Sequence, residues 1–493
     1  MSTSLNADSI PKEVLHVTNT LETAGFEAYL VGGCVRDLLL NKKPKDWDVT
    51  TNATPEEIIA LFENTYKNND FGTVGVVTDD AEDQTLKVIE VTPYRIESVY
   101  TDSRRPDAVT FSTSIADDLK RRDFTLNALA YRPKTAHFLD YFNGSDDLND
   151  KRLRAVGIAH DRFAEDALRM LRAVRLAVEL GLVIEGETMT AIASNAENLS
   201  KISKERIRDE FIRIILSKEP MQGIILLEKL GMLPYVVPDL MRSIGVSQNQ
   251  AHAFDVYEHL LRTLQHAADK EWSIDIRLAA LFHDISKPET RRWSDERKDW
   301  SFHGHEVVGS RITKKALQTL KLPRETIEKV SSLVRWHMFF SDPAEVTLSA
   351  VRRTIRNVGE EHIWDLLNLR ICDRVGTGRP KEQPFRLRKY IAMVEEALRD
   401  PITVKMLKID GSRIMEVCKE KPGPKLGHTL HALLEEVLED PGRNTAEYLE
   451  ERVQILMKMP LEELVALGEQ GREKQKKEEE GAILQIQKKY RVA

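Results

Sequence analysis

In DWDVTT, residues 46–51, Asp46 and Asp48 stand two apart with Trp47 between them, and the glycine pair Gly32–Gly33 closes the apolar run AYLV just upstream. Alternate residues of a strand point to the same face, so a strand here groups the two carboxylates and sends the tryptophan to the other side. Two neighbouring carboxylates repel unless a cation separates them. Hard oxygen donors of this kind suit Mg²⁺, which keeps its waters and borrows ligands from substrate phosphates. Glycines between a strand and a helix leave backbone N–H groups open to a triphosphate. Together the two pairs describe a nucleotide and metal site; either alone fits a turn followed by a surface strand.

The elements that must position these residues follow from patterning. A helix is expected between Pro11 and Gly25, then a short buried strand at AYLVGG, a helix at VRDLLL and a strand at DWDVTT. ATPEEIIALF starts a helix with Thr54 as N-cap, Pro55 at its first position and Glu57 completing a capping box. GTVGVVTD, LKVIEVTPY and HFLDYFNG add strands, and beyond Phe163 apolar residues recur at three and four through EDALRMLRAVRLAVELG and KERIRDEFIRIIL. The fold class expected is an α/β (α+β) head with a small mixed sheet, followed by a predominantly helical body. The expected domains are 1–155, 156–245, 246–380 and 381–493. The last stretch, EQGREKQKKEEEGAILQIQKKY, has the charge of a frayed helix or a disordered tail.

Composition bounds the partners. At 493 residues and 41% hydrophobic the chain can bury several cores. Net charge of -7 excludes a globally basic nucleic-acid coat, so any such surface is a local stripe. Three widely spaced cysteines, Cys34, Cys372 and Cys418, argue against a disulfide framework. No segment has the length of apolar sequence a membrane span needs, and a cytoplasmic location with no membrane partner is expected. The oligomeric state is not legible.

LVGGCVRDLLL followed by DWDVTT resembles the first signature of the class II tRNA nucleotidyltransferase and poly(A) polymerase family. RRDFTLNALAY, from Arg121 to Tyr131, is similar to its second and EDALRMLRAVRLA, from Glu165, to its third. The resemblance implies that Asp46 and Asp48 hold catalytic Mg²⁺ and that Glu90, in VIEVTPYR, is a third carboxylate. It also implies nucleotide contacts from Gly32, Gly33, Arg36, Arg121, Arg122, Asp123, Asn127, Arg172 and Arg175. Asp166 and Arg169 carry a physical argument. On one helix face, a carboxylate and a guanidinium match the amino donor and ring-nitrogen acceptor that cytosine and adenine share, and mismatch uracil and guanine.

The loop SVYTDSRRPDAVTF resembles one needed to switch from C to A addition. The expected activity is therefore template-independent CCA addition to tRNA from CTP and ATP. Polyadenylation and partial CC- or A-addition are the alternatives within the same chemistry.

In the helical half, His259, His283 with Asp284, His305, His337 and Asp373 stand in an order that resembles the HD phosphohydrolase superfamily. The resemblance implies that they ligate one or two divalent ions, either a transition metal or Mg²⁺, acting on a phosphoester. Ser286 departs from the usual glycine, Lys287 is retained, and His252 and His303 are read as surface residues. An HD metallophosphohydrolase with a non-catalytic head is the alternative of another class, and a tRNA-binding module without activity ranks behind it. KPGPKLG, KERIRDEFIR and KEQPFRLRKY are candidate RNA contacts or solvated faces.

Overall fold

The computed structural model describes residues 5, 7–67, 72–78, 81–97, 109–250, 252–339, 346–400, 403–465 and 467. Most of the loop expected at 98–111 and the charged tail from 468 onward lie outside the described residues. The chain forms two compact units, Met1–Pro238 and Asp239–Ala493.

The first unit opens with the helix Lys12–Thr23 and is organised on a mixed sheet. Its strands run β1 (Ala28–Val31), β2 (Asp48–Thr51), β3 (Thr65–Lys67), β4 (Val74–Val77), β5 (Val88–Pro93), β6 (Arg95–Glu97), β7 (Val109–Phe111), β8 (Leu129–Arg132) and β9 (His137–Asp140). Seven of them lie in the order β3-β4-β5-β2-β1-β8-β9, and β6 pairs with β7 separately. β2 and β5 are parallel, and the other pairs of the large sheet are antiparallel.

Strand alternation sorts the apolar residues of the sheet into two clusters. Ala28, Leu30, Trp47 and Val49 join one cluster with Val14, Val17 and Leu21 of the first helix. Tyr29 and Val31 point the other way, to Tyr94 and to Ile115 and Leu119 of the helix Ile115–Lys120. The capping box expected at Thr54 and Glu57 is present at the helix Pro55–Leu61. β3 was not expected, because TYK is a short, largely polar edge strand without an apolar alternation.

EDALRMLRAVRLAVELG does not form one helix. A helix ends at Glu165, Asp166 takes extended angles of φ -138 and ψ 103, and the next helix runs Leu168–Leu180. No glycine or proline marks this break.

The second unit is helical. Val256–Asp269, Ile274–Phe282, His305–Thr319, Arg324–Trp336 and Ile363–Gly376 form its first layer, and a two-stranded hairpin, Arg292–Ser294 with Asp299–Ser301, interrupts them. At Gly376 an added Cβ would lie 2.1 Å from Thr263 Oγ1, so glycine allows the helix carrying Asp373 to close on the helix carrying His259. Further helices continue to Leu456, and no described helix is long and apolar enough to cross a membrane.

Candidate functional site: a carboxylate and arginine cradle, and a histidine centre

In the first unit the register aligns Asp48 with Glu90 on adjacent parallel strands, so the two side chains share a face. It is the face onto which the helix Ile115–Lys120 packs, and the turn after that helix delivers Arg121 and Arg122. Gly32 adopts φ 78 and ψ -132, a region nearly reserved for glycine. A Cβ there would meet Arg122 Nη1 at 2.8 Å and Asp48 Oδ2 at 3.6 Å; one on Gly33 would sit 3.8 Å from Asp46 Oδ1. The glycine pair is thus the floor of a cradle whose walls are two aspartates and an arginine.

Electrostatics in the cradle favour a cation. Burial, with Asp46 and Glu90 adding to it, outweighs the pull of Arg122 and Arg172 and pushes the Asp48 carboxyl up to about 7. The donor set is carboxylate oxygen alone, which fits Mg²⁺. Among the described residues, however, the head carboxylates do not form a group with every donor atom within 4.8 Å.

A chain of hydrogen bonds runs from the cradle to the third signature. Arg36 Nη1 donates to Asn127 Oδ1 at 2.7 Å, Asn127 Nδ2 to Asp123 Oδ1 at 3.1 Å, and Arg172 Nε to Asp123 Oδ2 at 2.9 Å. Burial alone would raise the Asp123 pKa, but Arg172 and Asn127 hold it well below the usual range. Arg121 and Arg122 are both anchored by Asp118, which has no exposed side-chain surface; Arg121 Nη2 lies 2.6 Å and Arg122 Nη2 3.3 Å from its carboxylate. Sequence reasoning missed Asp118. Its signal was an acidic residue three and four positions before the two arginines, on a short helix.

Three expectations need correction. Asp166 and Arg169 do not share a helix face, because Asp166 lies in the break. Its carboxylate accepts from Arg206 Nη2 at 2.8 Å and from Leu168 N at 3.0 Å, whereas Arg169 Nη1 donates to Glu165 Oε2 at 2.6 Å. Arg175 is buried and turned toward the neighbouring helix, with Nε 2.6 Å from Glu210 and Nη1 2.8 Å from Glu179, so it ties helices together instead of facing a nucleotide. The basic segment KERIRDEFIR is largely committed to internal partners: Lys204 to Tyr235 O, Arg206 to Asp166, and Arg213 to Glu179.

In the second unit all six expected ligand residues converge. His259 Nε2 and His283 Nε2 are 3.0 Å apart, and Asp284 Oδ2 lies 3.2 Å from each. Asp373 Oδ1 is 3.4 Å from His259 and 3.7 Å from His283. The other Asp284 oxygen, Oδ1, faces His305 at 3.2 Å and His337 at 3.6 Å, and those two Nε2 atoms are 3.3 Å apart.

Neighbouring ligands around an ion bound at ~2.1 Å sit roughly 3.0 to 3.4 Å apart, so most of this spacing fits common ions on either side of Asp284. The tautomers fit as well. Nδ1 of His283, His305 and His337 faces the carbonyls of Ala280, Phe302 and Val334 at 2.9, 2.6 and 2.7 Å, which leaves each Nε2 lone pair for a metal.

Burial alone would depress His283, but Asp284 and Asp373 raise it to about 10, while burial lowers His337 to about 4. Lys287 is buried with Nζ 2.5 Å from Asp284 and 2.7 Å from Gln248 Oε1. Ser286 replaces a glycine without strain, since its φ is -95 and its hydroxyl donates to His305 O at 2.6 Å. His303 is exposed as expected, but His252 is half-buried: its ring lies 5.3 Å from that of His259, and one of its nitrogens falls within reach of the His259 and Asp284 donors. Lys425 of KPGPKLG donates to Met457 O at 2.7 Å and is not held out for a phosphate.

Residues 28–154 match the poly A polymerase head domain, residues 181–244 the probable RNA and SrmB-binding site of polymerase A, and residues 256–377 the HD domain. The chain is thus a nucleotidyltransferase of the polymerase A type that carries an HD domain. It is 34% identical over 427 residues to the CCA-adding enzyme of Lactiplantibacillus plantarum, covering 86% of this chain and 90% of that one. A stronger local match, 46% over 222 residues, covers 45% of this chain and spans 54% of the CCA-adding enzyme of Lactobacillus delbrueckii subsp. bulgaricus. The fold superposes on the crystal structure of the Bacillus stearothermophilus CCA-adding enzyme in complex with CTP with a TM-score of 0.66 and 28% identity, covering 91% of this chain and 98% of that one. On these similarities the chain belongs to the CCA-adding enzyme family.

Proposed function

We propose that the first unit adds CCA to the 3′ end of tRNA from CTP and ATP by a two-metal mechanism, and that the second hydrolyses phosphoester ends. The observation that carries the first part is the continuity of the site: Gly32, Gly33, Asp46, Asp48 and Arg122 form one cradle, and Arg36, Asn127, Asp123 and Arg172 link it to the helix bearing Arg169. Asp46 and Asp48, with Glu90 beside them, would hold Mg²⁺, whose charge lowers the pKa of an RNA 3′-hydroxyl and offsets that of the leaving pyrophosphate.

Arg121 and Arg122, braced on Asp118, present guanidinium groups to the triphosphate. Asp166 and Arg169 read the base by exchanging Arg206 and Glu165 for it. The parts assigned are a head, 1–155, a neck that recognises nucleotide and tRNA, 156–245, an HD domain, 246–380, and a terminal region, 381–493. The chain would work in the cytoplasm.

For the second unit, His259, His283, Asp284, His305, His337 and Asp373 would hold divalent ions, which would supply an activated water for attack on phosphorus. Sequencing the products of tRNA ending at its discriminator base, after incubation with all four nucleotides, tests the first reading. CCA ends are expected. CC, A or poly(A) ends would replace it by another product of the family, and no addition would remove it.

A further inference from the structure

The hairpin Arg292–Ser294/Asp299–Ser301 is spliced between Lys287, which contacts Asp284, and His305. Trp293 and Trp300 are cross-strand partners on one face, 5.0 Å apart edge to face. The Arg291 guanidinium covers the Trp300 ring at 3.6 Å, and Trp293 is 51% exposed. A three-pair ribbon gains nothing by holding a tryptophan in water, since that apolar area is not removed from solvent.

Ser247 and Gln250 bond to this hairpin, while Gln248 and His252 contact the histidine centre. Ser247 accepts from Arg291, and Gln250 N donates to Asp299 Oδ2 at 3.1 Å. On the other side Gln248 Oε1 takes Lys287 Nζ at 2.7 Å, and the His252 ring packs against His259. The hairpin is therefore tied through these residues to the histidine centre, with Arg291 beside the aromatic face to meet the charge of a nucleotide.

We propose that Trp293, braced edge to face by Trp300, forms the base platform of the HD site, stacking the nucleobase of a terminal nucleotide whose phosphate faces Asp284. The assignment rests on the phosphohydrolase reading of that centre. A π-face accepts any base, so the platform confers preference for nucleotides over other phosphoesters without selecting among bases. No bond is made or broken there; the platform only positions.

Calorimetric titration of the full chain with Mn²⁺ present tests it, using uridine 2′,3′-cyclic phosphate and the base-free glycerol 1,2-cyclic phosphate. A uracil ligand avoids the head, whose proposed preference is for C and A. Trp293→Leu is expected to weaken binding of the uridine compound about tenfold and Trp293→Phe less than about twofold, with the glycerol compound unchanged. An unchanged affinity in Trp293→Leu, equal weakening of both compounds, or no binding of the uridine compound by the unmodified chain overturns the platform. Hydrolysis is read separately. If the unmodified chain binds the uridine compound through Trp293 but does not cleave it, the phosphohydrolase reading falls and the platform stands; if it cleaves with binding indifferent to Trp293, the reverse holds.

Discussion

Asp48 carries a charge its surroundings resist. Burial and the neighbouring carboxylates push its carboxyl up to about 7 from an ordinary 3.8, so its ionisation opposes folding. The sign follows from linkage: a carboxylate raised in the folded state binds more protons there, so stability falls as pH rises from about 4 to 7 and the penalty is complete above that. Without divalent ions, Asp48→Asn should raise Tm at pH 8 and leave it nearly unchanged at pH 4; Mg²⁺ should raise the Tm of the unmodified chain at pH 8 and do little for the variant. Thermal melts at the two pH values, with and without chelator, decide it.

Asp118 works through others, since it anchors Arg121 and Arg122 from a buried position. Asp118→Asn should raise the KM for CTP about tenfold with a smaller change in kcat, and Asp118→Glu should restore part of it. Equal losses in both constants would point to general damage. The spacing marks Asp46 and Asp48 as a pair, although the strand begins only at Asp48 and Asp46 lies in the bend before it, whereas Asp118 declares itself only once the chain has turned two arginines back onto it.

At the scale of elements, the turn into the helix Gly33–Leu39 is the least replaceable part of the head. Gly32→Ala places a methyl group in a backbone region that costs about 1–3 kcal/mol and against Arg122, so nucleotide incorporation should drop at least about a hundredfold while circular dichroism stays native. Gly33→Ala meets only ordinary contacts at 3.7 and 3.8 Å and should cost far less. Arg175→Ala predicts the opposite pattern: loss of a buried ion pair at a helix interface should cost about 3–5 kcal/mol of stability, with the KM for nucleotide unchanged in the folded fraction.

The elements themselves were readable wherever local chemistry settled them, as at the capping box of Thr54 and Glu57. The break at Asp166 was not, because the apolar period runs on through Phe163, Met170 and Leu171 and the interruption depends on long-range partners such as Arg206. His252 was misread for a similar reason. A histidine on an irregular segment has no periodicity to show which way it faces.

The two proposed centres differ in donor type, carboxylates in one and mainly imidazoles in the other. Replacing His283 and Asp284 by alanine should abolish phosphoester hydrolysis and spare nucleotide incorporation, and replacing Asp46 and Asp48 should do the converse. Metal counting adds a finer test. Asp284→Asn touches both sets of ligands and should lower bound Mn²⁺ by more than the pair His305→Ala and His337→Ala does, measured by elemental analysis after dialysis.

Trp47 has a part in all this from the far side of the strand. It is 2% exposed beside Val49 in the larger core, while Asp48 points to the opposite face. A slip of one residue in β2 would drive the carboxylate into that core and expel both apolar neighbours, so the wrong pairing is disfavoured while the sheet assembles. Fidelity of the active site is thus established during folding, by grease on the far side of the strand.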